Sequence, residues 1–154
     1  MQKLLVERFQ LTFHHETREL AVYELTAGNG ADKLANSPPG EIGVELNSIG
    51  PGGIARTWTN TTMSDFVSYD LQAYLGDKPV LDKTGLTDKY DFKLVFAPMP
   101  GSDEAKFMGS PKQDDIPAVD LFTALQKQLG LKLKAVKTMA DVLVIDHIER
   151  PSEN

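Results

Sequence analysis

The sequence predicts an α+β domain: repeated helix–strand–strand units, with helices packed on a largely antiparallel sheet. Two observations carry this reading. Hydrophobic spacing switches three times from the helical period to strand alternation, in residues 4–27, 54–97 and 120–149. Within each repeat a short polar segment of hairpin length separates two apolar strands, so neighbouring strands are expected to be antiparallel. Repetition of one supersecondary unit points to a fold built by repetition. A chain of 154 residues can bury one sizeable core, and residues 1–154 are read as a single domain.

The first repeat reads LLVERF–QLTFHH–ETREL–AVYELTA. Leu4, Leu5 and Phe9 sit at helical spacing, and alternation follows, with Leu11, Phe13 and His15 on one face and Gln10, Thr12 and His14 on the other. Residues 17–20 are read as the hairpin connection to a strand carrying Tyr23 and Leu25. In the second repeat, FVSYDLQAYL–PVLDKT–GLTDK–YDFKLVFA, Thr62 and Asp65 stand three apart and can cap a helix. Val67, Leu71 and Leu75 form its stripe, Gly76 stops it, and Pro79 opens the next strand. Tyr90, Phe92, Leu94 and Phe96 alternate with Asp91 and Lys93. Residues 54–60 add a further strand before the helix.

The third repeat, LFTALQKQLG–LKLKAV–KTMA–DVLVIDHIE, offers Asp120 as N-cap and Gly130 as C-cap. Leu131 and Leu133 alternate with Lys132 and Lys134. Residues 142–145 are apolar at four consecutive positions, which predicts a strand covered on both faces and central in the sheet. Two connections, residues 28–53 and 98–118, are rich in Gly and Pro and read as flexible loops, although residues 42–46 have the pattern of a short edge strand.

Composition excludes several function classes. The net charge of −6 disfavours nucleic acid, whose phosphates call for a basic surface. No cysteine is present, so disulfides, thiolate metal sites and thiol nucleophiles are excluded. No apolar run approaches a bilayer span, and no signal peptide opens the chain, since helical spacing begins almost at Met1 with Glu7 inside it. That abrupt start is expected of the C-terminal portion of a longer protein.

Three ordered stretches carry a resemblance: LLVERFQLTFHHETRELAVYEL, PVLDKTGLTDKYDFKLVF and LFTALQKQLGLKLKAVKTMADVLVIDHIERPSEN. Together they resemble an uncharacterised, soil-associated bacterial protein family known largely from acidobacterial genomes. The resemblance implies an exported protein, periplasmic or extracellular, with more sequence before the ERF-type helix, and it brings no catalytic residues. The family pattern has an arginine where His15 stands, which counts against a His14–His15 metal pair. A more distant likeness, in pattern only, is to the short N-terminal domains of secretins and TonB-dependent receptors.

Candidate chemistry is sparse. His14, His15 and Glu16 are zinc-type ligands, but adjacent strand residues point to opposite faces, and HETRE lacks the second histidine of a helical HExxH. His147 and Glu149 share a face at the end of the last strand and, with His14, are the candidate catalytic residues. Asp82, Asp88 and Asp91 flank TGLTDKY, where Lys83 and Lys89 oppose a calcium loop. Residues 28–33, GNGADK, precede no helix and read as a turn rather than a phosphate loop. No GxSxG occurs.

The function expected is a non-enzymatic binding or interaction module of an exported or envelope-associated bacterial protein, with no cofactor. The alternative is a hydrolase using a histidine–carboxylate site. The partner expected is another protein, or the part of a longer chain preceding this one, at an open sheet edge. A monomer is favoured over a homodimer because the glycine-rich 28–53 segment can fold over that edge.

Overall fold

The computed structural model describes residues 9–50, 52–76, 78–101, 103–108 and 118–150. Strands dominate it, at 50% against 23% for helices, and they form two sheets. In chain order they are β1 (Thr12–Ala27), β2 (Ala35–Asn36), β3 (Gly43–Gly50), β4 (Gly53–Thr62), β5 (Val80–Asp82), β6 (Lys89–Phe96) and β7 (Leu131–His147). One sheet has the order β5-β1-β7 and the other β2-β6-β4-β3. Helix α1 covers residues 63–75, α2 is Asp103–Met108 and α3 covers residues 121–129.

This architecture corrects the expected fold class. The chain is sheet-dominated, not a series of repeated units with helices packed on one sheet. The first and third repeats each expected a hairpin, yet each forms one long strand, of 16 residues in β1 and 17 in β7. The reason is local. Neither ETREL nor KTMA contains the Gly, Asn-Gly or Pro that a tight hairpin turn demands. The two long strands pair with each other instead. The Gly28 N–H donates to the Gly130 carbonyl (2.8 Å) and Thr26 Oγ1 to the Lys132 carbonyl (3.2 Å). Numbers rise on one strand as they fall on the other, so the pairing is antiparallel.

Only the second repeat has its helix followed by two strands, and these separate. β5 runs parallel to β1, with Tyr23 opposite Val80 and Leu25 opposite Asp82, whereas β6 lies between β2 and β4 in the other sheet. The strand expected at the sheet centre is also at an edge: β7 is terminal, and Leu143 and Ile145 are 50% and 55% exposed. The helix expected to open the first repeat falls almost wholly outside the described residues.

The chain divides into two bodies. The smaller comprises Met1–Ala21 and Lys137–Asn154, the larger Val22–Val136. Within the larger body one apolar cluster draws on both sheets and two helices. Leu25, Leu131 and Leu133 join Trp58, Phe92, Leu94 and Phe96, together with Phe66, Leu71 and Leu75 of α1 and Leu121, Leu125 and Leu129 of α3. Trp58 stacks on Phe92 (5.2 Å, 17°) and meets Phe66 edge-on (5.1 Å, 76°). Each such pair adds about 0.5–1.5 kcal/mol beyond its area.

The helix ends follow the capping residues. Thr62 Oγ1 accepts the Asp65 N–H (3.1 Å) and an Asp120 carboxylate oxygen accepts the Thr123 N–H (3.0 Å). Gly76 and Gly130 end α1 and α3 at positive φ, 58° and 66°. Both helices also share an oddity: α1 widens to π geometry over Phe66–Leu71 and α3 over Leu125–Leu129. The segment between residues 28 and 53, read as a loop, holds a short turn at Ala31–Lys33 and the strands β2 and β3. Residues 109–117 of the second loop are outside the described residues; α2 lies before them.

Candidate binding groove beside the edge strand

The histidines singled out in the sequence lie in the smaller body. His14 Nδ1 is 2.9 Å from both Asp146 carboxylate oxygens, and His14 Nε2 is 3.6 Å from Glu16 Oε2. Glu16 in turn pairs with Arg18. His15 points to the other face, its ring edge-on to Phe13. His14 and Glu16 therefore come together and His15 does not join them. His147 Nε2 meets Glu149 Oε1 at 2.9 Å. The side chains of His14, Glu16, Asp146, His147 and Glu149 are about a third to a half exposed. Among the described residues no group of three or more histidine, aspartate or glutamate side chains can hold a metal ion. Around TGLTDKY, Asp82 Oδ1 accepts the Thr84 N–H and hydroxyl (2.9 and 2.7 Å), an aspartate turn.

A denser polar cluster lies in the larger body, and it starts with strand alternation on β4. Ile54, Arg56 and Trp58 share the face covered by α1, where Ile54 and Trp58 are fully buried and Arg56 is half-buried. An arginine between two buried apolar residues needs a partner. It finds the ring of Tyr74, with the guanidinium carbon 5.3 Å from the ring centroid. Desolvated contacts of this kind are worth about 1–2 kcal/mol. Tyr74 is held in place edge-on to Phe96 (5.0 Å, 84°).

Asp70 stands four residues before Tyr74 on α1. Burial raises its pKa, against the opposing pull of the Trp58 indole N–H and the Arg56 charge. That indole N–H has no acceptor within hydrogen-bond length among the described residues. Burial also pushes Tyr74 to about 12; Arg56 opposes the rise, and Asp70 and Glu104 add to it. Arg56 Nε, Trp58 Nε1 and the Tyr74 hydroxyl are buried without a hydrogen-bond partner among the described residues. Three such atoms in one neighbourhood are uncommon in a folded interior.

The cluster borders a cleft of about 80 Å³ lined by Ile54, Ala73, Tyr74, Pro98, Met99 and Glu104. The same sheet face continues outward onto β3. Val44 lies opposite Trp58, Leu46 opposite Arg56 and Ile49 opposite Ile54, with a bulge between Leu46 and Ser48. The extra residue in the bulge switches parity, so Ile49 joins Val44 and Leu46 on one face. Asn47 steadies it by accepting the Thr57 hydroxyl (2.7 Å). Val44, Leu46 and Ile49 are 48%, 47% and 39% exposed. β3 ends its sheet, so its outer edge is unpaired among the described strands. An apolar ledge, an open strand edge and a cleft with a carboxylate thus adjoin. A wider groove of about 290 Å³ between α3 and β7, lined by Phe122, Gln126, Lys132 and Lys134 among others, borders no such cluster.

Sequence reasoning missed this site. The signal was Arg56 at a core position of an alternating strand, with Asp70 and Tyr74 at i, i+4 beside the apolar stripe of the following helix. In comparisons with known proteins, residues 1–148 match the model of a family described as "Protein of unknown function (DUF3738)". No curated protein and no solved structure matches the chain.

Proposed function

We propose, for a chain that belongs to this family of proteins of unknown function (DUF3738), a non-enzymatic role: binding an extended segment of another protein along β3. The carrying observation is the exposed apolar row Val44, Leu46 and Ile49 on a strand whose outer edge is unpaired among the described strands. Native proteins blunt exposed edges with charge, proline or cover, and an edge kept apolar suits strand addition. Main-chain hydrogen bonds would supply affinity, and the ledge and cleft would select alternate side chains. That the module belongs to an exported or envelope-associated, soil-associated bacterial protein rests on the resemblance of its three motifs alone.

A hydrolase built on a histidine–carboxylate pair is the second reading, favoured by the 2.9 Å His14–Asp146 contact. It takes second place because the other ring nitrogen faces Glu16, and a carboxylate at each nitrogen provides no hydroxyl for the imidazole to activate.

A displayed library of random short peptides, selected against the full chain, tests the proposal. Enriched peptides should alternate apolar residues and lose binding at least tenfold to Val44→Asp and Leu46→Asp. No enrichment, or binding indifferent to both substitutions, overturns it.

A further inference from the structure

We infer that the cleft beside Tyr74 takes a primary ammonium group on an unbranched stem, the lysine side chain of the segment bound along β3. This rests on the strand-addition reading and adds the identity of its anchor. Size argues first. The cleft measures about 80 Å³. Ligand pockets for whole small molecules run to about 300–1,000 Å³. One side chain fits; a cofactor does not.

The walls argue next. Ile54, Ala73, Pro98, Met99 and the Tyr74 ring form an apolar sleeve suited to a methylene stem, and Glu104 is the charged group in the lining. Three charges meet here: Arg56, Asp70 and Glu104. Arg56 and Asp70 offset each other, and Arg56 is already committed to one Tyr74 face. Glu104 has no ion pair among the described residues, so among these residues the excess at the cleft is one negative charge. Tyr74, whose hydroxyl has no partner, lines the same cleft.

A carboxylate ligand would meet repulsion from Glu104. A neutral apolar chain would leave Glu104 further desolvated and unpaired, which is costly. A guanidinium wants a bidentate fork and more width, whereas a compact ammonium is satisfied by one carboxylate. The position also fits the ledge. Ile54, in the cleft wall, is the cross-strand neighbour of Ile49, so a segment on β3 passes beside the opening.

The probe is n-butylammonium chloride, the lysine side chain without its backbone, titrated into the full chain and followed by amide chemical shifts. Saturable shifts are expected at Ala73, Tyr74, Met99 and Glu104, with 1-butanol binding on the order of tenfold more weakly and Glu104→Gln losing a similar factor. Glu104 is on a partly exposed helix, so that variant is expected to fold, and an unchanged spectrum elsewhere checks it. Equal response to butanol, indifference to Glu104→Gln, or shifts scattered over other acidic residues overturns the inference. Failure of the two readings is separable. Peptides selected at β3 with no basic residue at a fixed position sink the ammonium anchor and leave strand addition standing. Saturation by butylammonium without any selected peptide does the reverse.

Discussion

The side-chain amide of Gln128 pairs with the backbone of Val95 as another strand's peptide would. Gln128 Oε1 accepts the Val95 N–H (2.9 Å) and Nε2 donates to the Val95 carbonyl (2.7 Å). β2 is two residues long and pairs β6 only at Tyr90 and Asp91, so Gln128 closes β6 where β2 has ended. Gln72 does the same for the entry to β5, donating to the Lys78 carbonyl (3.1 Å) and accepting the Val80 N–H (3.0 Å). Side chains close these two edges, whereas the outer edge of β3 is unpaired among the described strands.

Gln128→Ala is therefore expected to cost about 1–3 kcal/mol, because it strands a backbone donor and acceptor together. Urea unfolding measures it. A change under about 0.5 kcal/mol would mean that water replaces the amide without loss.

Tyr74→Phe is expected to be neutral or stabilising, since the hydroxyl it removes is buried without a partner. The pH dependence has a definite sign. Burial holds the native pKa near 12 against an ordinary 10.0, so above pH 10 the unfolded chain has lost a proton the native one retains. Stability falls as pH rises from about 10 to 12, and Tyr74→Phe should remove that component. Thermal melts of both proteins across this range provide the comparison; identical slopes would contradict it.

Asp91 is expected to contribute in the opposite pH range. The Ser37 hydroxyl (2.6 Å) and the Asn60 N–H (2.8 Å) both donate to Asp91 Oδ1 and lower its pKa below 3.8. A lowered carboxylate stabilises above its unfolded pKa and loses that contribution as pH falls through the native value. Asp91→Asn should thus be less stable than wild type at neutral pH, with the gap narrowing below pH 3.8. The Asn60 amide is the informative reporter: it sits at positive φ (51°) where β4 and β6 shift register. If the gap stays constant with pH, the hydrogen bonds are not what Asp91 supplies.

Gly130→Ala is expected to be the most damaging of these changes, by about 3 kcal/mol or more. Its φ of 66° already disfavours a side chain, and a Cβ there would collide with the Gly30 carbonyl group and the Ala31 nitrogen, all backbone atoms. The same contact joins the Gly28 N–H to Gly130 O, tying the 28–33 turn to the start of β7. Chemical denaturation should show the loss; a variant within about 1 kcal/mol of wild type would show that the turn can move aside.

Signals confined to a few residues were legible. Thr62 and Asp120 cap the helices they were expected to cap, Gly76 and Gly130 end them, and the alternation of residues 90–96 is the strand β6. The caps rest on contacts within a turn of chain, and the strand on a strict alternation along the chain. The candidate groove was not legible, because an arginine in a strand reveals its partner only when Tyr74 of the following helix is laid over it.

The sequence by itself determined where α1 and α3 begin and stop, which positions of β6 face inward, and that cysteine and long apolar runs are missing. Tertiary structure alone decided the partners. ETREL and KTMA look like turn spacers when each is paired only with its own repeat, but without glycine or proline neither bends. β1 and β7, more than a hundred residues apart, satisfy each other's backbone groups instead, and β5 leaves β6 to lie parallel to β1. A strand presents the same donors and acceptors to any neighbour. Its choice is therefore set by turn chemistry and by which apolar faces can be buried together, and that sum runs over the whole chain.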